Sequence, residues 1–510
     1  MEATREHIDV LVIGAGISGI AAAYHLQTRL PGLRYAILEG RGALGGTWDL
    51  FRFPGIRSDS DMYTLGYSFA PWTGARAIAD GASIRAYVED TARTHGIDRA
   101  IRFHHRVRHA AWSSATGRWS VDVERADSGQ ALQLTCDFLY TCCGYFAYDR
   151  GHSPAIAGEG EFRGRIVHPQ TWPSDLDHAG KRVVVIGSGA TAVTLVPALA
   201  RTAAHVTMLQ RSPSYVVARP GVDRLAHGLR SVLSAKTAGD LTRWKYVLLG
   251  SAFYRFCRRF PAQARRLITA GVRAQLGPSY DVDTHFNPRY QPWDQRLCLV
   301  PDGDLFAAIK GGKAEVVTDA IDRYTAAGLA LRSGRTLDAD VVVTATGLRL
   351  QFLGGLTLSV DGHPIDPGAI RIYKGIMLAG VPNLAVSMGY INASWTLRCE
   401  LIAVWVCRLL AHMARHGQQI AVPHPAAGDD RDAAPLLDLA AGYVMRSVDQ
   451  FPLQGSRDPW QVHQSYLRDL VNLRGRRIDD GRLMFARVTP SSVAAPTERR
   501  AANRDQPLTA

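Results

Sequence analysis

The sequence predicts an α/β protein built on two dinucleotide-binding, Rossmann-like units, and two stretches carry that prediction. Each is a short apolar strand that runs directly into a glycine-rich turn and then into a helical pattern. The first is residues 8–13 followed by Gly14-Ala15-Gly16-Ile17-Ser18-Gly19; the second is residues 183–186 followed by Gly187-Ser188-Gly189-Ala190-Thr191-Ala192. A lone G-x-G-x-x-G says little, but strand, turn and helix in that order, twice, make a specific signal. At 510 residues the chain is long enough for two or three domains.

Composition narrows the class further. Hydrophobic residues at 46% and charged residues at 21% exclude global disorder. The formal net charge of +13 favours anionic partners, and nucleotides already satisfy that. Seven cysteines, an odd count with no C-x-x-C pair, predict reduced thiols and neither a disulfide frame nor a metal site. No apolar run is long enough to span a membrane, and the charged N-terminal stretch is not a signal peptide, so a cytoplasmic location is expected.

In the first unit, Gly14 permits the tight turn, Gly16 lets the backbone approach a pyrophosphate, and Gly19 lets helix pack on strand. The helix N-terminus, with Ser18 in its first turn, then faces the phosphates. A second strand, residues 35–38, ends at Glu39, where a carboxylate can bond a ribose 2′-hydroxyl. Gly45-Gly46-Thr47-Trp48 follows, with no redox cysteine pair. The loop from Arg52 to Asp59 reads R-F-P-G-I-R-S-D. Asp61, two residues on, reads more simply as a loop cap. Farther along, residues 138–145 form a strand ending in glycine, and its adjacent Cys142 and Cys143 are expected to be inert.

Between the two turns lie Phe162, Gly164, His168 and Trp172, spaced F-x-G-x-x-x-H-x-x-x-W. After the second turn, Gly187, Gly189, Ala190 and Thr191 offer the phosphate cradle. The next strand ends not in an acid but in Gln210-Arg211-Ser212, which can meet a 2′-phosphate that a carboxylate would repel.

The fingerprint around His168, together with G-G-T-W and R-F-P-G-x-x-x-D, resembles the Baeyer–Villiger monooxygenases, flavoenzymes related to the flavin-containing monooxygenases. Pro292-Trp293-Asp294-Gln295-Arg296 is similar to the branch that includes ethionamide-activating enzymes. The resemblance spans roughly residues 8–486 and implies FAD at the first turn and NADPH at the second. It implies an NADPH domain inserted into the FAD domain, with crossings at Gly144 and at Ala345-Thr346-Gly347. The expected boundaries are 1–148 and 337–486 for the FAD domain, 149–336 for the NADPH domain, and a disordered tail over 487–510. It implies further that Arg296 stands over the flavin, oriented by Asp59, and that His168 couples domain motion to nicotinamide position. Gln295 replaces a lysine that many members use on the NADPH phosphate. Asn392, ahead of a helix that Ser394 is expected to cap, is a candidate flavin or substrate contact.

The implied activity is NADPH- and O2-dependent conversion of ketones to esters or lactones through a C4a-peroxyflavin, with sulfides oxidised too. S- or N-oxygenation is the alternative within enzymes. In another class stands a peripheral membrane or nucleic-acid binding protein with a vestigial flavin site. Residues 213–290 bear on that: they predict a helical insert, rich in arginine with interleaved aromatics, read as a cap with a solvated basic face. Contact with an anionic membrane is its second reading. Nucleic acid and an obligate protein partner are not expected.

Overall fold

The computed structural model describes residues 6–426, 429 and 433–488, so most of the predicted tail lies outside the described residues. Strand β1 (His7–Ile13) leads through the first glycine turn into helix α1 (Ile17–Arg29) and back to β2 (Tyr35–Leu38), parallel to β1. A one-turn helix, α2 (Met62–Leu65), follows. Strands β3 (His105–Ser113), β4 (Arg118–Arg125) and β5 (Ala131–Thr141) form an antiparallel meander whose last strand returns alongside β1. The meander continues the parallel sheet, because β5 pairs with β4 on one edge and β1 on the other.

The chain then leaves this sheet. Strands β6 (Arg165–Val167), β7 (Arg182–Ile186), β8 (His205–Gln210), β11 (Ala314–Thr318) and β12 (Val341–Thr344) make a second, wholly parallel sheet in the order β11-β8-β7-β12-β6. Helix α3 (Ala190–Leu199) follows the second glycine turn. Between β8 and β11 lie a parallel pair, β9 (Val216–Arg219) and β10 (Cys298–Pro301), and, besides two shorter helices, three helices of nine residues or more. These are α4 (Arg224–Val232), α5 (Ala235–Arg259) and α6 (Pro261–Leu276). After β12 the chain rejoins the first sheet through β13 (Thr357–Val360), on β3, and β14 (Leu384–Val386), on β5. Helix α7 (Trp395–His416) closes the first unit by packing with α1 in one buried core. The second unit is therefore inserted into the first.

Each unit carries the same close approach. A Cβ on Gly14 would fall 2.8 Å from the Cys142 carbonyl oxygen, and one on Gly187 would fall 2.4 Å from that of Ala345. Both glycines hold positive φ. Each turn is thus pressed against the strand by which the chain crosses between units, which places both nucleotide sites at the domain junction.

The units are also plugged together. Phe51, just ahead of the R-F-P-G loop of the first unit, and Phe53 within it are buried in the core of the second. Gly55 follows, where a Cβ would meet the Ala198 methyl at 2.7 Å and the Thr194 carbonyl oxygen at 2.8 Å.

Candidate active site

Both glycine turns open into one cavity of about 1340 Å³. Its lining includes Gly14, Gly16, Gly46 and Trp48 from the first unit and Gly187, Gly189, Arg211 and Ser212 from the second. Helices α1 and α3 each begin at a glycine with no side-chain cap. Their first amide N–H groups are left for a ligand, and the helix dipole favours an anion there. Gly46, at positive φ, comes so near the turn that its Cβ would lie 3.1 Å from the Gly16 Cα. The buried Asp49 fixes this loop by ion pairs to Arg41, Arg52 and Arg85. Thr47 lies 3.5 Å, oxygen to oxygen, from the Tyr148 hydroxyl.

Glu39, 6% exposed, sits where the first turn needs its acid. One carboxylate oxygen accepts from the Ala15 N–H at 2.8 Å and the other from the Arg41 N–H at 2.9 Å. Burial pushes its pKa up, and those two bonds oppose the shift. Ser18 lines the cavity from the first turn of α1, and its hydroxyl accepts from the Trp395 indole at 2.8 Å and contacts the Cys399 thiol at 3.3 Å, so it also ties α1 to α7.

Arg211 and Ser212 lie exposed on the lining, just past β8. A second cation stands there that the sequence reading passed over. The Arg332 N–H bonds the Ala320 carbonyl, and the Asp319 N–H bonds the Gln210 carbonyl, so Arg332 is held at the same strand end. Neither arginine has an ion pair among the described residues. Gln295 lines the cavity as well. Arg332 comes from a hairpin far along the chain, and no local motif marks it.

Arg296 and Asp59 meet in this cavity, Nη2 to Oδ2 at 3.0 Å, each about one-third exposed. The Asp59 charge raises the Arg296 pKa, with burial opposing it. Tyr145, Tyr443 and Cys298 stand close enough to feel this cation. Burial raises all three, Cys298 to about 12, so the pair sits among neutral neighbours. Asp61 is the cap expected of it: its carboxylate accepts from the Thr64 N–H and hydroxyl, both at 2.8 Å.

His168 is positioned rather than free to act as a base. Its Nδ1 accepts from the Gln170 N–H at 3.1 Å, which leaves Nε2 to donate to the Gly347 carbonyl at 3.3 Å. Burial lowers its pKa, in keeping with a neutral ring. Gly151 packs on that ring so closely that a Cβ would clash. The Gln170 amide donates to the Ala147 carbonyl at 2.8 Å, and the His152 N–H bonds Gly347 at 3.0 Å. The fingerprint thus staples one interdomain crossing to the other. Phe162 contributes by packing on Tyr324, and Gly164 by lying against the Asp340 carbonyl.

Asn392 does not line this cavity; its side chain donates to the Gln464 carbonyl at 2.9 Å and it lines a second cavity, which leaves it a candidate substrate contact rather than a flavin contact. Ser394 precedes α7 but does not cap it, because its hydroxyl is taken by Thr64 at 2.6 Å. All seven cysteines are unpaired, and burial holds Cys142 far above and Cys143 at about 12, which makes both inert thiols.

Comparison with known proteins follows this geometry. Residues 78–232 match the family described as flavin-binding monooxygenase-like, and residues 12–73 match an NAD(P)-binding Rossmann-like domain. The FAD-containing monooxygenase EthA of Mycobacterium tuberculosis is 54% identical over 484 residues, covering 94% of this chain and 98% of that protein. The chain belongs to the FAD-containing, flavin-binding monooxygenase-like family. A probable FAD-binding monooxygenase, AlmA, of Acinetobacter baylyi is 43% identical over 487 residues, covering 95% and 97%. Among solved structures, a steroid monooxygenase bound to NADP superposes with a TM-score of 0.69 at 25% identity, over 82% of this chain and 88% of that one. A cyclohexanone monooxygenase in its open form gives 0.70 at 22% identity, over 82% and 90%. This monooxygenase is an enzyme that uses FAD and NADPH, not a binding protein with a vestigial flavin site.

Proposed function

We propose that this monooxygenase inserts one oxygen atom beside the carbonyl of ketones, giving esters or lactones, and oxidises sulfides in the same cavity. The balance is ketone, O2, NADPH and a proton in, and ester, NADP+ and water out. The observation that carries this reading is the Arg296–Asp59 pair, held at 3.0 Å in the cavity that both glycine turns share. Bound FAD would take hydride from NADPH and activate O2. The first turn, Glu39 and the Gly46-Thr47-Trp48 loop would hold the FAD, with Asp59 beside its ring. Gly187, Gly189, Ala190, Thr191, Arg211 and Ser212 would hold NADPH, and Arg332 supplies the phosphate cation that Gln295 cannot. Arg296, always charged, stabilises negative charge on attacking and carbonyl oxygens. Asp59 aims the guanidinium.

Product analysis on a ketone and a thioether tests this. Arg296→Ala should lower ester formation about 100- to 1000-fold. Sulfoxide formation, which needs no stabilised anion, should fall much less. Equal loss of both products, or no ester from any ketone tried with wild type, would sink the reading.

The insert supports a partner as well. The outward stripe of α5 is apolar over its middle, with Leu241 50%, Trp244 41%, Leu248 52% and Leu249 61% exposed. The expected basic face lies beyond it, with Arg255, Arg258, Arg259 and Arg266 exposed, while Arg243 turns inward to Glu400 and Lys245 to Asp223. Residues 219–276 still hold twelve Arg and Lys against two Asp. We read this as a surface that rests on an anionic bilayer. No helix among the described residues is long and apolar enough to cross one. Sedimentation with anionic but not neutral vesicles, lost in Leu248→Glu, is expected; equal recovery with both would refute it.

A further inference from the structure

The second cavity carries an inference that deepens the oxygenation reading and rests on it. It encloses about 1010 Å³, the upper end of ordinary small-molecule pockets at about 300–1,000 Å³. Asp59, Ser60, Cys298 and Ala393 line both cavities, so a molecule lying in the second reaches the Arg296–Asp59 pair with one end. Its walls are apolar and aromatic, with Val217, Tyr246, Phe253, Trp293 and Leu397 among them.

Charge on the lining is one-sided. Three carboxylates face it and each is already engaged: Asp59 with Arg296, Asp61 with Thr64, Asp223 with Lys245. Arg219, Arg224, Arg255 and Arg468 also line it, and all four are exposed, which puts them at its mouth. Arg219 lies over the Phe253 ring, and the other three have no ion pair among the described residues. His463 is taken by Asp458. An apolar chamber rimmed by uncompensated guanidinium groups focuses positive potential on whatever enters. The planar guanidinium fork is matched to a carboxylate, which it can bind through two parallel hydrogen bonds.

We propose that the substrate is a carboxylate-ended amphiphile: an apolar chain lying in the second cavity, its carboxylate on the mouth arginines and its ketone delivered to Arg296. The carboxylate takes no part in the chemistry. It fixes which carbonyl along the chain is presented.

Calorimetry on the FAD-loaded protein with decanoate and with decanol tests the site without turnover. Decanoate should bind at least about tenfold tighter, and the advantage should shrink as salt is added. The triple variant Arg224→Gln, Arg255→Gln, Arg468→Gln should erase that preference. Equal binding of acid and alcohol by wild type, or a preference untouched in the triple variant, overturns the proposal. Turnover forms the second arm, using a fatty acid whose ketone adjoins the terminal methyl, and the methyl ester of that acid. A higher kcat/KM for the acid, through a lower KM, is expected. If acid and ester react alike, the mouth arginines have no selective role and the proposal falls while ketone oxygenation stands. Selective decanoate binding with no oxygenation of any ketone would instead remove the proposed reaction and leave the carboxylate site.

Discussion

In the first unit a Cβ at Gly19 would fall 1.9 Å from the Gly14 carbonyl oxygen; in the second unit the same position is Ala192, whose methyl is fully buried without displacing the turn. The neighbouring chemistry differs in the same sense. The first turn is backed by a buried carboxylate bonded to two backbone N–H groups, the second by exposed Arg211 and Arg332. The lesson is a division of labour on one backbone design. A tight turn with its acid locked inside suits a cofactor that stays, and a looser turn edged by exposed cations suits one that comes and goes.

The sharpest way to break this contrast is Gly19→Ala. Forcing a methyl against backbone costs about 1–3 kcal/mol of overpacking strain, so FAD affinity should fall about 10- to 100-fold, read by flavin absorbance of the purified protein. Unchanged flavin content would remove the distinction. Next comes Arg211→Gln. It should raise the KM for NADPH about tenfold, the scale of one hydrogen bond to a charged group, and leave that for NADH nearly unchanged; adding Arg332→Gln should raise it again. A milder probe is Ala192→Gly, which lowers unfolding free energy by about 1 kcal/mol in a denaturant titration while NADPH binding persists. The smallest effect concerns His168, which joins the two halves. Burial lowers its pKa, so the unfolded chain takes up its proton first. Its contribution to stability is complete above about pH 6.5 and is lost as pH falls from there through the lower folded value. The stability difference between wild type and His168→Gln should shrink on acidification over that window.

What could be read from sequence follows the range of the interactions. Each strand–turn–helix was legible because strand length, glycine spacing and helix start are local. The strand predicted over residues 35–38 is the strand found. The Arg296–Asp59 pairing joins distant segments and became visible only through resemblance to a family. Ser394 went astray for the same reason: its hydroxyl is claimed by Thr64, 330 residues away. The basic face of the insert was legible from helical spacing, whereas the withdrawal of Arg243 to Glu400, 157 residues away, was not. Arg332, the mouth of the second cavity and the place of Asn392 depend on loops brought together only by the finished fold.

Asp59 belongs to the first unit and Arg296 to the second, and the loop bearing Asp59 is anchored by Phe51 and Phe53 inside the other unit's interior. Any swing of the inserted unit must therefore drag on the carboxylate or pull the guanidinium off it. The pair is an interlock between the two units: its 3.0 Å contact holds only while they keep this register, so the strength of that charge coupling reports how the units are set against each other.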